Sequence, residues 1–131
     1  MPLSRHVLAV DDNPDVLDVL LRILQQLGYV VSSTTSARVA AGMSDHALSL
    51  IGLLITDIDM PEMDGYTLAD ALRARRPTLP VLLVSGSNTI AARSLIGDGA
   101  FSFLPKPFTV SDLEVAVIAL LSGRTEQLST Q

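Results

Sequence analysis

The chain has 131 residues and a formal net charge of −5 at pH 7, with 48% hydrophobic and 18% charged residues. This length suits one ordinary domain, and the composition provides the apolar surface that a core requires and that disordered chains lack. The acidic balance argues against direct binding of nucleic acid or anionic membrane, and the absence of cysteine excludes disulfides and thiolate metal sites. Neither a signal-peptide pattern nor an apolar run of about 20 residues is found, so we expect a cytoplasmic protein outside the membrane.

Short apolar runs alternate along the chain with segments of helical length. The apolar runs predict strands at residues 6–10, 29–33, 53–56, 81–85 and 101–105. Strands that alternate with helices indicate a parallel sheet with helices on both faces, and nearly continuous apolar strands are typical of burial on both faces. We therefore predict an α/β fold: a doubly wound, five-stranded parallel sheet in strand order 2-1-3-4-5, forming a flavodoxin-like three-layer sandwich.

Apolar residues at helical spacing predict the helices between these strands. The first helix has Asn13 as N-cap and proline at its first position, and the last opens with Ser111-x-x-Glu114, the pattern of a capping box. Gly42 and Ser44 interrupt one segment, which predicts a short helix and an irregular turn there. The predicted helices are 14–27, 65–75, 88–97 and 111–121, and the interrupted segment is 36–50. We assign residues 1–122 to the domain and 123–131 to a polar tail or the start of a linker.

Polar residues stand where four of the predicted strands end. Asp11 and Asp12 follow the first strand, and Asp57 follows the third. Ser85 ends the fourth strand, and Lys106 follows the fifth. The carboxyl ends of parallel strands share one edge, where open α/β sheets bind ligands. Three neighbouring carboxylates repel one another unless cations balance them, and both Lys106 and a hard divalent ion such as Mg²⁺ fit that need. Such a site favours phosphoryl transfer, in which a carboxylate can itself be the nucleophile.

Four short motifs occur at these strand ends in one order and spacing. They are VDD (10–12), Asp57 followed by DMPEMDG (59–65), SG (85–86) and KPF (106–108). Together they resemble the receiver domain of two-component response regulators, the CheY-like superfamily, and the resemblance extends over residues 5–122.

The resemblance implies roles for the matched acids. Asp57 would be the phosphoacceptor. Asp12, Asp57 and the backbone carbonyl of Asp59 would bind Mg²⁺ (or Mn²⁺), with Asp11 assisting largely through water.

The resemblance also implies roles on the last two strands. Ser85 would hydrogen-bond the phosphoryl group and report its presence, and Phe103 would be the switch aromatic that moves inward in response. Lys106 would pair with Asp57 and then with a phosphoryl oxygen, and the bond between Lys106 and Pro107 resembles the family's cis peptide.

The implied partner is a sensor histidine kinase or a histidine phosphotransfer protein, and the domain would catalyse its own phosphorylation and slow autodephosphorylation without being a conventional enzyme.

The last helix, LEVAVIALL (113–121), is apolar nearly all round, so Val115 and Ile118 should point away from the core. We therefore predict a homodimer or output-partner surface on the last two helices, a use that the resemblance also implies.

Three other functions fit this sequence less well. A haloacid-dehalogenase-like phosphatase would use Asp57 and Asp59 as its D-x-D pair, but that motif normally follows the first strand, and the pair Asp11 and Asp12 would be unexplained. A flavodoxin-like cofactor binder has the same fold, but the acidic first loop, DDNPD (11–15), disfavours an anionic phosphate. A receiver-like scaffold without phosphorylation is disfavoured because the acceptor, metal, hydroxyl and lysine positions are all filled.

Several residues near the motifs are predicted to be structural. Glu62 and Asp64 fit a solvated or turn-forming role, with Gly65 supplying backbone freedom. The arginines at positions 73, 75 and 76 fit the C-terminus of a helix, where cations suit the dipole, and are too few for a nucleic-acid surface.

Overall fold

The computed structural model describes residues 5–86 and 101–121, in which five parallel strands form one sheet in the order β2-β1-β3-β4-β5. The strands are β1 (His6–Val10), β2 (Val30–Thr34), β3 (Leu53–Asp57), β4 (Val81–Ser85) and β5 (Phe101–Pro105). The helices are α1 (Pro14–Gln26), α2 (Ala37–Ala41), α3 (Asp45–Leu50), α4 (Gly65–Arg75) and α5 (Val110–Leu121). The predicted fold class is confirmed, while the predicted helix 88–97 and the tail 123–131 lie outside the described residues.

The sheet separates two apolar clusters. Leu54 packs with α2, α3 and α4 on one face, and the next residue, Ile55, packs with α1 and α5 on the other. Every residue of β3 and β4 is buried, as expected for central strands covered on both faces. Each fully buried aliphatic side chain contributes about 1.5–3 kcal/mol, so these two central strands contribute strongly to the stability of the sheet. Within residues 5–86 and 101–121, no helix is both long and apolar enough to cross a membrane.

The edge strand β2 differs from the prediction of strands buried on both faces. None of its five residues is buried, and Val30 is 62% exposed. An edge strand has a neighbour on one side only, and α1 and α2 cover it incompletely. The expectation of burial on both faces was therefore wrong for β2 and in part for the other edge strand, β5, although it holds for β3 and β4.

The last helix begins with a reciprocal cap at Thr109 and Asp112. The Thr109 backbone N–H donates to Asp112 Oδ2, and the Asp112 N–H donates to Thr109 Oγ1, both at 3.0 Å. The predicted capping box at Ser111 and Glu114 was wrong, because the threonine two residues earlier begins the helix and aspartate replaces the usual glutamate.

The interrupted segment 36–50 forms two short helices instead of one helix and a turn. Ser36 caps α2 by accepting a hydrogen bond from the Val39 N–H at 3.2 Å, and Ser44 caps α3 by accepting one from the Ala47 N–H at 3.0 Å. A second serine cap thus starts a new helix directly after the break.

Two of the arginines at the end of α4 bind the ends of neighbouring helices. Arg75 donates to the carbonyls of Ala41 at 3.2 Å and Met43 at 2.6 Å, and Arg76 donates to the carbonyl of Leu48 at 2.9 Å. Carbonyls in the last turn of a helix are short of intrahelical donors. Arg75 thus supplies donors to the last residue of α2 and to the connection after it, and Arg76 adds a donor to a carbonyl in the last turn of α3. The cations act on other helices as well as on their own.

Gly65 is required by close packing beneath the end of β3. It begins α4 after Asp64, whose side chain caps the helix by accepting a hydrogen bond from the Thr67 N–H at 2.8 Å. A Cβ on Gly65 would clash with the carbonyl oxygen of Asp57 and lie 2.9 Å from the Ile58 Cα. The φ angle of Gly65 is not positive, so steric space, not the predicted backbone freedom, explains the glycine.

We predict that Gly65→Ala destabilises the protein by about 1–3 kcal/mol, because the added methyl group forces the Asp57 backbone to move. The measurement is urea unfolding in a metal-free buffer. Gly42→Ala is the matched control, since its Cβ would meet no atom closer than 3.4 Å. Equal unfolding free energies for the two variants would contradict the packing argument.

Candidate functional site

The strand order brings three aspartates together at the carboxyl edge of the sheet. Val10 of β1 pairs with Thr56 of β3, so the residues that follow these two are neighbours. One carboxylate oxygen from each of Asp11, Asp12 and Asp57 lies within 4.8 Å of the others. The three acids singled out from the sequence therefore form one oxygen-rich cluster.

Lys106 projects into this cluster from the end of β5. Its Nζ lies 3.1 Å from Asp57 Oδ1 and 3.2 Å from Asp11 Oδ2. The Lys106 backbone N–H donates to the Ser85 carbonyl at 2.8 Å, which fixes the lysine beside the end of β4. The peptide bond between Lys106 and Pro107 is cis. One ammonium group thus contacts two carboxylates from different strands.

The electrostatics of the cluster leave negative charge in excess. Burial raises the pKa of Asp57, the hydrogen bond and charge of Lys106 lower it in part, and the charges of Asp11 and Asp59 raise it further. Burial lowers the pKa of Lys106, but Asp11 and Asp57 more than offset this and raise it overall. Lys106 therefore stays protonated near neutral pH while Asp57 remains under-compensated. An oxygen-only cluster with excess negative charge fits a hard divalent cation.

The adjacent acids Asp11 and Asp12 occupy different environments. Asp11 is 1% exposed, and its two oxygens accept hydrogen bonds from Lys106 and, at 2.9 Å, from the Asn13 backbone N–H. Asp12 is exposed. The first acid is thus held in place by the fold, whereas the second is accessible to a ligand.

Ser85 makes a contact that the sequence did not predict. Its Oγ donates to Asp59 Oδ2 at 3.1 Å, whereas the family resemblance implies a role only for the backbone carbonyl of Asp59. Ser85 is 1% exposed and Asp59 is exposed. The register of β3 and β4 pairs Asp57 with Val84, which places Ser85, the last residue of β4, near the loop that follows β3. The predicted adjacency of the third and fourth strands is a signal in the sequence that could have indicated this contact.

The other predicted residues lie around this edge. Phe103 is half-buried on β5, where it pairs with Leu83 and packs against the cluster that contains α4. Glu62 is exposed and accepts a hydrogen bond from the Ser36 hydroxyl at 3.0 Å, which links its loop to the start of α2. The switch role of Phe103 stays a prediction.

Comparison with known proteins identifies relatives across nearly the whole chain. The family model for the response regulator receiver domain matches residues 7–118. Sensor kinase CckA of Brucella abortus is 36% identical over 119 residues, which cover 90% of this chain and 13% of that protein. The C4-dicarboxylate transport transcriptional regulatory protein DctD of Rhizobium meliloti is 38% identical over 115 residues, which cover 86% of this chain and 24% of that protein. The chain thus spans a quarter or less of these curated relatives.

Solved structures show the same likeness. A response regulator receiver domain protein from Clostridium thermocellum superposes with a TM-score of 0.80 at 25% identity, covering 94% of this chain and 98% of that one. The beryllofluoride-activated NtrC4 receiver domain dimer superposes with a TM-score of 0.79 at 26% identity, covering 91% and 98%.

We predict that Asp57→Asn stabilises the protein near pH 7 when divalent ions are removed. The pKa of Asp57 is raised in the folded state above its ordinary value of 3.8, so its ionisation opposes folding. Wild type therefore loses stability as pH rises from 3.8 through the folded pKa, and the loss persists at higher pH. Asparagine removes this penalty, so the difference between the proteins should narrow as pH falls toward 4.

Urea unfolding with chelator at several pH values measures this difference. Asp70→Asn, which neutralises an exposed carboxylate on α4, is the matched control and should change little. A stability gain that is absent at pH 7, or that grows on acidification, would show that the Asp57 charge is already balanced in the folded protein.

Proposed function

Because the chain belongs to the response regulator receiver domain family, we propose that it is a phosphorylation switch whose acceptor is Asp57. The observation that carries the proposal is the buried carboxylate of Asp57, bound to Lys106 at 3.1 Å and grouped with Asp11 and Asp12. An Asp57 oxygen attacks the phosphorus of a phosphohistidine, the bond from phosphorus to the imidazole nitrogen breaks, and the imidazole takes up a proton. The product is an aspartyl phosphate, which water later hydrolyses.

Asp12, Asp57 and the Asp59 carbonyl are the residues that would hold Mg²⁺ or Mn²⁺, with Asp11 acting through water. The ion supplies positive charge that neutralises the transferred phosphoryl oxygens. The raised pKa of Asp57 supports this assignment, since the pair with Lys106 alone leaves the acceptor under-compensated. The accessibility of Asp12 and the double hydrogen bonding of Asp11 support a direct role for the former and an indirect role for the latter.

Lys106 and Ser85 are the groups of the chain that recognise the phosphoryl group. Lys106 exchanges part of its contact with Asp57 for a phosphoryl oxygen, and the Ser85 hydroxyl turns toward another. Movement of Ser85 then draws Phe103 inward, which changes the surface on the β4–β5 side of the domain. The action is that of a signalling switch with self-catalysed phosphorylation and slow dephosphorylation, not of a conventional enzyme.

The phosphodonor is a histidine kinase or a histidine phosphotransfer protein. A groove of about 720 Å³ lies between α1 and the loop after β5, with an apolar lining that includes Val16, Val19 and Ile23. Lys106 lines the same groove and also binds Asp57. A protein that contacts this groove therefore brings its phosphoimidazole next to the acceptor.

The apolar outer side of α5 is the proposed surface for a second copy or an output partner. Val115 is 65% exposed and Ile118 is 49% exposed, while Leu113 and Val117 on the inner side are buried. The predicted partner helix, 88–97, lies outside the described residues. The solved dimer of the NtrC4 receiver domain supports a homodimer as the first candidate.

Labelling with acetyl phosphate and Mg²⁺, followed by intact-protein mass measurement, tests the switch. Wild type should gain one phosphoryl group, whereas Asp57→Asn or added chelator should abolish labelling. Lys106→Ala should slow it about 100-fold, the usual effect of losing a group that stabilises transition-state charge. Asp70→Asn is the control and should behave as wild type.

Labelling that persists in Asp57→Asn, or that needs no divalent ion, would overturn the proposal. Sustained turnover of a phosphate ester by wild type would instead favour the phosphatase alternative that uses Asp57 and Asp59.

For the α5 surface, we predict that Ile118→Glu weakens self-association measured by sedimentation in beryllofluoride and Mg²⁺. The dimer dissociation constant should rise at least about tenfold, because the variant buries an unpaired charge in an apolar contact. Val30→Glu is the control, since Val30 is 62% exposed on the opposite edge of the sheet. If wild type is monomeric with and without beryllofluoride and Ile118→Glu leaves partner binding intact, this surface has no such role.

A further inference from the structure

The contact between Ser85 and Asp59 joins a buried donor to an exposed acceptor. Ser85 Oγ donates to Asp59 Oδ2 at 3.1 Å, and Ser85 is 1% exposed whereas Asp59 is exposed. A serine hydroxyl carries one proton, so it can donate fully to one acceptor at a time. The same hydroxyl is the group that the proposed function directs to the phosphoryl group on Asp57.

We propose that the Asp59 carboxylate is a latch that holds the Ser85 hydroxyl in the unphosphorylated domain and competes for its proton with the phosphoryl group on Asp57. This inference rests on the proposed function, since it takes Asp57 as the acceptor. Asp59 is in this respect a positioning residue, which acts on the phosphoryl group through Ser85.

The fold holds both partners of the latch at this distance. The Ile58 N–H donates to the Val84 carbonyl at 2.9 Å, and the Ile58 carbonyl accepts from the Gly65 N–H at 2.9 Å. These bonds fix the start of the loop that carries Asp59 against the end of β4. The Ser85 carbonyl in turn accepts from the Lys106 N–H at 2.8 Å. The latch is therefore built between two anchored segments.

The difference in burial between Ser85 and Asp59 determines which state of the domain their hydrogen bond stabilises. A buried hydroxyl without an acceptor is costly, and a carboxylate accepts about twice as strongly as a neutral oxygen. On phosphorylation the Ser85 hydroxyl exchanges one anionic acceptor for another, and the exposed Asp59 carboxylate loses this donor. The bond therefore stabilises the unphosphorylated state, and its loss favours the phosphorylated one.

The test is titration of beryllofluoride, a phosphoryl analogue, at a Mg²⁺ concentration that saturates each variant, as set by titration with Mg²⁺ alone. Asp59→Ala should tighten beryllofluoride binding about tenfold, the scale of one charge-assisted hydrogen bond. Asp59→Asn keeps an acceptor oxygen without the charge and should give a smaller gain. Glu62→Ala is the matched control, because it removes one negative charge from the same loop, and the Glu62 side chain binds Ser36 instead of Ser85. Its effect on beryllofluoride binding should be small.

A double-mutant cycle separates the latch from simple charge repulsion. In a Ser85→Ala background, Asp59→Ala should no longer tighten beryllofluoride binding. Equal tightening with and without Ser85→Ala would mean that the Asp59 charge acts directly on beryllofluoride. Absence of tightening in Asp59→Ala alone would mean that the bond between Ser85 and Asp59 does not compete with beryllofluoride. Either result overturns the latch.

Failure of the proposed function is a different outcome in the same titration. Wild type would then fail to bind beryllofluoride with Mg²⁺, or Asp57→Asn would bind it equally well.

Discussion

The ion pairs that Lys106 makes with Asp11 and Asp57 decide what the carboxyl edge of this sheet can do. Both acids are nearly inaccessible, and an unpaired buried charge is destabilising by several kcal/mol. A single ammonium group balances them well enough for the domain to fold, but the pKa of Asp57 is still raised. The site is thus stable and yet short of positive charge. That combination suits the proposed role of Asp57 as a phosphoacceptor, which would act only when a cation accompanies the phosphoryl group.

The rest of the fold keeps these charges in position. Asp57 ends a strand in which every residue is buried, and its backbone packs against Gly65, where a side chain would not fit. Lys106 is fixed through the Ser85 carbonyl, and Asp11 through the Asn13 N–H. Because these residues come from strands that are far apart in sequence, only the completed sheet forms the site.

Features set by strand order could be predicted from the sequence, whereas features set by packing between segments could not. Asp11, Asp57 and Ser85 stand at the ends of apolar runs, and parallel strands place such ends on one edge, so the cluster of Asp11 and Asp57 followed from these runs together with the strand order 2-1-3-4-5. The steric role of Gly65 depends on how closely α4 approaches β3, a distance that no sequence pattern encodes. The cap at Thr109 was not predicted because two overlapping patterns occur there, Thr109-x-x-Asp112 and Ser111-x-x-Glu114. The structure uses the first, in which aspartate replaces the usual glutamate.

One donor of the site, Lys106, is shared between two anionic acceptors, Asp57 and Asp11. The Ser85 hydroxyl is bound to Asp59, and under the proposed function it would exchange that carboxylate for a phosphoryl group on Asp57. In the proposed switch, phosphorylation would exchange the partners of these donors and leave the number of hydrogen bonds nearly unchanged. Exchange keeps the two states close in free energy, and a modest difference in binding then suffices to shift their populations. A site in which every donor had one fixed acceptor would bind phosphate or reject it, but it would not switch.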